Sequence, residues 1–115
     1  MIKTITLNTA KMPEMVEFFG ALGIPMKAMP VNKGTVAYRG NFSEVEICLL
    51  SIPKKDRLAT PDLSFRLQIE NISDVMARLR KLPQVQILME LQELPFGKMA
   101  VVLDPEGHSI ELTDA

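Results

Sequence analysis

The feature that most constrains this chain is one order of elements that occurs twice. Lys3 to Thr9 alternates, with Ile5 and Leu7 on one face and Thr4, Thr6 and Asn8 on the other, the period of a half-buried strand. Met12, Met15, Val16, Phe19 and Leu22 then fall on one helical stripe, with Pro13 suited to the first turn and Gly23 to the C-terminal end. Met26 to Val31 and Thr35 to Arg39 read as a hairpin about Asn32-Lys33-Gly34, and Glu44 to Leu50 as a further strand. The same order restarts at Leu63. Leu63 to Ile69 alternates, Asn71 is a helix N-cap candidate, and Ile72, Val75, Met76, Leu79 and Leu82 form a stripe that Pro83 ends. Val85 to Leu91 and Lys98 to Leu103 are strands about the turn Glu93-Leu94-Pro95-Phe96-Gly97, and His108 to Thr113 closes the set.

Laying Thr4 on Ser64 carries Met12 onto Ile72, Met15 onto Val75, Val16 onto Met76, Phe19 onto Leu79 and Leu22 onto Leu82. Every stripe position matches in kind, and Val45-Glu46-Ile47 corresponds to Ile110-Glu111-Leu112. Two βαβββ units in tandem explain this, and a repeat governs the fold reading. The expected fold is α+β: module 1 over about 1–51, a charged, Pro-bounded linker over 52–61, and module 2 over about 62–115, within one domain. At 115 residues the chain has enough core to fold without disulfides or metal.

Composition excludes several classes of function. A net charge of −1 gives no reason to expect nucleic acid or an anionic membrane as partner. One cysteine, Cys48, rules out an intrachain disulfide and a multi-cysteine zinc site. Charges interrupt every apolar run before membrane-spanning length, and MIKTITLNT has no signal-peptide core. A cytoplasmic protein is expected.

The last stretch, Val101 to Thr113, reads VVLDPEGHSIELT: an apolar run, an Asp-Pro-Glu-Gly turn and an alternating strand. A hairpin of the form Asp-Pro-X-Gly-X-X-Ile-Glu-Leu resembles the C-terminal signature of the glyoxalase/bleomycin-resistance/dioxygenase superfamily, also called the vicinal oxygen chelate superfamily. The resemblance covers essentially the whole chain. It implies that the two modules form a curved mixed sheet, a cup, with helices on its outer face and the site on its concave face.

Strand parity assigns residues to the two faces. Ile5, Leu7, Val45, Ile47, Phe65, Leu67, Ile110 and Leu112 are expected beneath the helices. The opposite face collects Thr4, Thr6, Asn8, Glu44, Glu46, Cys48, Ser64, Arg66, Gln68, Ser109 and Glu111. An ordinary solvated sheet face is one reading; a cavity lining is the other, and the one the resemblance implies. On that reading the ligand-binding residues are Thr4, Thr6, Asn8, Glu46, Cys48, Ser64, Arg66, Gln68 and Glu111.

Metal-dependent members of the superfamily take ligands from the first and last strand of each module, which here implies Thr4, Glu46, Ser64 and Glu111. Histidine is usual at the two first-strand positions, and Thr or Ser hydroxyls are poor substitutes for imidazole. His108, the one histidine, stands three residues from Glu111, so parity turns it to the other face and a turn-associated surface position is expected. No metal and no cofactor are therefore expected. Arg66 is the candidate for the missing positive charge, since a guanidinium can bridge two carboxylates; alternatively it reaches solvent or a dimer partner. Cys48 has no histidine to activate it and reads as a packed thiol.

Three functions remain open. The first is a metal-independent protein binding an unidentified small molecule in the cup. The second is a metal-dependent lyase, isomerase or dioxygenase-type enzyme using Glu46 and Glu111. The third is a non-catalytic dimerisation or regulatory domain. A homodimer is expected in each case, because strand edges at the module junction need partners.

Overall fold

The structure, a computed structural model, describes residues 2–30, 36–51, 64–95 and 97–114. It divides into two compact units, Met1–Leu58 and Ala59–Ala115. The expected linker at 52–61 and the Asn32-Lys33-Gly34 turn lie outside the described residues.

The first unit runs β1 (Thr4–Thr9), α1 (Met12–Ala21), β2 (Lys27–Pro30), β3 (Val36–Phe42) and β4 (Val45–Ser51). Its sheet has the order β1-β4-β3-β2, with β1 parallel to β4 and the other pairs antiparallel. A two-residue turn, Ser43-Glu44, joins β3 to β4, and Ser43 takes φ 57°, as the first position of a primed hairpin turn requires. Glu44, expected in the strand, is thus a turn residue. Pro13 sits in the first turn of α1, and Gly23 follows its end at φ 93° with its N–H bonded to the Gly20 carbonyl. The buried face of α1 is Met15, Phe18, Phe19 and Leu22, while Met12 and Val16 are half-buried. Phe18, absent from the expected stripe, packs edge-on against Phe19 at 5.3 Å between ring centres. Leu7, Ile24, Ala37, Ile47 and Leu49 also belong to this core.

The second unit repeats the plan: β5 (Ser64–Gln68), α2 (Ile72–Leu79), β6 (Gln86–Leu94), β7 (Gly97–Leu103) and β8 (Ser109–Thr113), in sheet order β5-β8-β7-β6. Its core is Ile69, Ile72, Val75, Met76, Leu79, Ala100, Val102, Ile110 and Leu112. Helix α2 stops at Leu79, short of the expected Leu82. Lys81 and Leu82 instead bond to carbonyls three residues back, a tighter winding that leaves Leu82 half-buried. Asn71 does precede α2, but its side chain makes no capping bond. It adopts φ 57°, ψ 47°, and its main-chain carbonyl accepts from Asp74 and Val75. Tolerance of the left-handed region, rather than a side-chain cap, is what asparagine supplies here. The β6–β7 turn is also tighter than expected. Leu94 pairs with Gly97, and two register shifts along β6 absorb the extra residues.

Ile5, Val45, Phe65 and Leu67, expected beneath the helices, are only half-buried. Three of the four lie on β1 and β5, each at one end of its sheet order, and Val45 adjoins the β3–β4 turn. Among the described residues no helix is long and apolar enough to cross a membrane.

Candidate functional site

Each sheet presents one polar face, and strand register fixes which side chains are neighbours on it. In the first unit Thr4 pairs with Glu46, which pairs with Asn41 on β3. The adjacent row is Thr6, Cys48, Arg39 and Lys27, and Asn8 pairs with Leu50 in the next. Thr4, Thr6 and Asn8 are exposed; Glu46 and Cys48 are half-buried. Glu46 lies 3.5 Å from the Arg39 guanidinium. An open cleft of about 460 Å³ on this unit is lined by Pro25, Lys27, Arg39, Gly40, Asn41 and Glu46.

In the second unit Ser64 pairs with Ser109, Arg66 with Glu111, and Gln68 with Thr113. Arg66 Nε donates a hydrogen bond of 2.7 Å to Glu111 Oε2. The Arg66 side chain is 61% exposed and that of Glu111 28%, so water screens the pair. Ser64 and Gln68 are exposed on the same face.

The register corrects the strand alignment. The first-strand residue opposite the last-strand carboxylate is Thr4 in the first unit, yet Arg66, not Ser64, in the second. The helices do keep the expected correspondence of Met12 with Ile72. The two strand–helix connections therefore differ in length, which helical periodicity does not report.

Within each unit the register gives the carboxylate a cationic neighbour. Arg66 holds Glu111, and Glu46 has Arg39 within its own unit. Arg39, Lys27 and Asn41 were missed from the sequence. Strand β3 runs on to Phe42 instead of stopping at Arg39, and only its pairing with β4 brings Arg39 and Asn41 beside Cys48 and Glu46.

His108 departs furthest from expectation. It is 7% exposed, not a surface residue. Its Nδ1 lies 2.8 Å from Asp104 Oδ2, and its main-chain N–H donates to Asp104 Oδ1 at 2.8 Å. Parity along a strand does not apply to it, because β8 begins only at Ser109.

The donor set does not suit a transition metal. Beside Glu111 stands a guanidinium already bonded to it, and beside Glu46 a threonine and an asparagine. Among the described residues no group of three or more His, Cys, Asp or Glu side chains is placed to hold an ion. A cationic neighbour raises the cost of bringing a second cation to the same carboxylate.

No family model and no curated protein sequence matches this chain. Solved structures do. UcmS2 superposes with a TM-score of 0.75 at 20% identity, covering 100% of this chain and 98% of that one. The trypanothione-dependent glyoxalase I of Leishmania major gives 0.74 at 19% identity, covering 99% and 86%. The fosfomycin resistance protein FosX of Mesorhizobium loti gives 0.73 at 11% identity, covering 100% and 91%. The chain thus shares the fold of these solved structures, built here from two βαβββ modules.

Proposed function

We propose that this chain binds a small molecule on the polar faces of its sheets and does so without a transition-metal ion. The observation that carries this reading is the partner of Glu111. At the position that register sets against the last-strand carboxylate, the second unit has Arg66, hydrogen-bonded at 2.7 Å. A guanidinium there supplies positive charge with no vacant coordination position, so the site orients polar groups of a ligand instead of polarising them through an ion. The candidate binding residues are Thr4, Thr6, Asn8, Glu46 and Cys48 on the face of the first unit, and Ser64, Arg66, Gln68 and Glu111 on that of the second. The names of two structural neighbours, a trypanothione-dependent glyoxalase and a fosfomycin resistance protein, associate this fold with small molecules in those proteins. The proposal includes a cytoplasmic homodimer with neither nucleic acid nor membrane as partner, in keeping with a net charge of −1 and one cysteine.

The test is elemental analysis and native mass spectrometry of protein purified from its own host. A retained small molecule with no stoichiometric zinc, nickel, iron or manganese supports the reading. Added metal should leave the melting temperature unchanged, since a ligand specific for the folded state raises it by mass action. Metal retained at one equivalent and lost on substitution of Glu46 or Glu111 would replace this reading with the metal-dependent enzyme.

A further inference from the structure

The cleft on the first unit carries a more specific assignment, which rests on reading the polar face as a binding surface and names the chemistry of its ligand. We infer that this cleft takes an oxyanion group of a small molecule, a carboxylate or a phosphate, between Lys27 and Arg39.

Lys27 and Arg39 are directly opposed on β2 and β3. Side chains so placed share a face, and like charges directly opposite destabilise a strand pair. Among the described lining residues one carboxylate, Glu46, faces these two cations. It lies 3.5 Å from Arg39, longer than a charge-assisted hydrogen bond, whereas the Arg66–Glu111 contact is 2.7 Å. Among the described residues Lys27 has no ion-pair partner. The described lining residues therefore carry a net positive charge and unsatisfied donor capacity, to which the Asn41 amide adds another donor. An oxyanion accepts from all three groups and removes the repulsion between the opposed cations.

The cleft is built into the chain trace. A Cβ on Gly40 would stand 2.7 Å from the Pro25 carbonyl oxygen and 2.7 Å from Met26 Sδ. Glycine thus lets the segment before β2 press against β3, which sets Pro25 and Lys27 beside Arg39 as one wall. The cleft's volume, about 460 Å³, falls within the range of small-molecule sites.

The experiment titrates the full chain with inorganic phosphate and, separately, with benzoate, each against sodium chloride at equal ionic strength. Amide NMR shifts and the melting temperature are the readouts. At least one anion should move the resonances of Lys27, Arg39, Gly40 and Asn41 saturably and raise the melting temperature. Phosphate alone identifies a phosphoryl ligand, benzoate alone a carboxylate. Lys27→Gln and Arg39→Gln should each weaken binding about tenfold, the loss of one charged hydrogen bond. Arg80→Gln, which removes an exposed arginine paired with Glu90 in the second unit, should leave it unchanged. Lys27→Gln also relieves the like-charge opposition, so it should fold at least as well as wild type. Binding as tight in both cleft variants as in wild type, or shifts spread evenly over surface cations, overturns the assignment. A small molecule retained in the mass-spectrometric test while both anions leave the cleft silent overturns the oxyanion assignment alone. A protein that retains no molecule and answers no anion overturns both readings.

Discussion

Replacing Asp104 by alanine should be among the most damaging single changes in the chain, although the residue lies in a turn. Its carboxylate is enclosed, with the residue 2% exposed. It accepts from the Glu106 N–H at 3.0 Å, the His108 N–H at 2.8 Å and His108 Nδ1 at 2.8 Å. The turn is closed further by main-chain bonds from Asp104 N–H to His108 and from Gly107 N–H to Asp104. Asp104→Ala removes the two oxygens that accept these three hydrogen bonds, and two of the stranded donors belong to a histidine that water barely reaches. A hydrogen bond to a charged group is worth about 1.5–3 kcal/mol. The Glu106 N–H, in a half-buried residue, regains water more readily, so the expected net loss is about 3–5 kcal/mol. That is a large part of the ~5–15 kcal/mol stabilising an ordinary domain. Asp104→Asn keeps an acceptor for the two main-chain N–H groups but turns an amide NH2 towards the imidazole. The ring must then change tautomer to accept, and the cost should fall to about 1–2 kcal/mol. Urea unfolding followed by far-UV circular dichroism gives both values by linear extrapolation. Asp104→Ala losing less than about 1 kcal/mol at unchanged m would refute the claim that this carboxylate holds the turn.

Three further outcomes follow from the same geometry. Arg66→Met should cost about 1 kcal/mol or less, because the pair with Glu111 is largely exposed, and a double-mutant cycle with Glu111→Gln should return a coupling of similar size; a coupling of several kcal/mol would show that the pair is desolvated in the folded protein. Gly40→Ala should destabilise by about 1–3 kcal/mol and displace the resonances of Pro25 neighbours and Met26, since its Cβ meets main-chain oxygen; a neutral result in urea would mean that the segment gives way freely. Asn71→Gly should be neutral or better while Asn71→Ala costs about 1 kcal/mol, the expense of a left-handed residue with a Cβ; equal stability of the two variants in thermal melts would contradict the left-handed assignment.

What the amino-acid sequence determined was everything that depends on local periodicity. The stripe Ile72, Val75, Met76 and Leu79 identifies a helix because 3.6-residue spacing puts those side chains on one face, and all four are buried. Alternation in β1, β4, β5 and β8 identified the strands and their polar faces for the same reason, at a period of two. Pairing is a different kind of information. That Arg66, not Ser64, faces Glu111 follows from the length of the β5–α2 connection and the parallel register with β8. That Arg39 lies by Glu46 and opposite Lys27 follows from how β2, β3 and β4 slide against one another. A shift of two residues there keeps every side chain on its face while exchanging its neighbours, so the hydrophobic pattern is blind to it. His108 lies outside any periodic segment, and its burial depends on a carboxylate four residues earlier folding back over it. Faces are local properties of a chain with a regular repeat; neighbours across a sheet are set only when the strands dock.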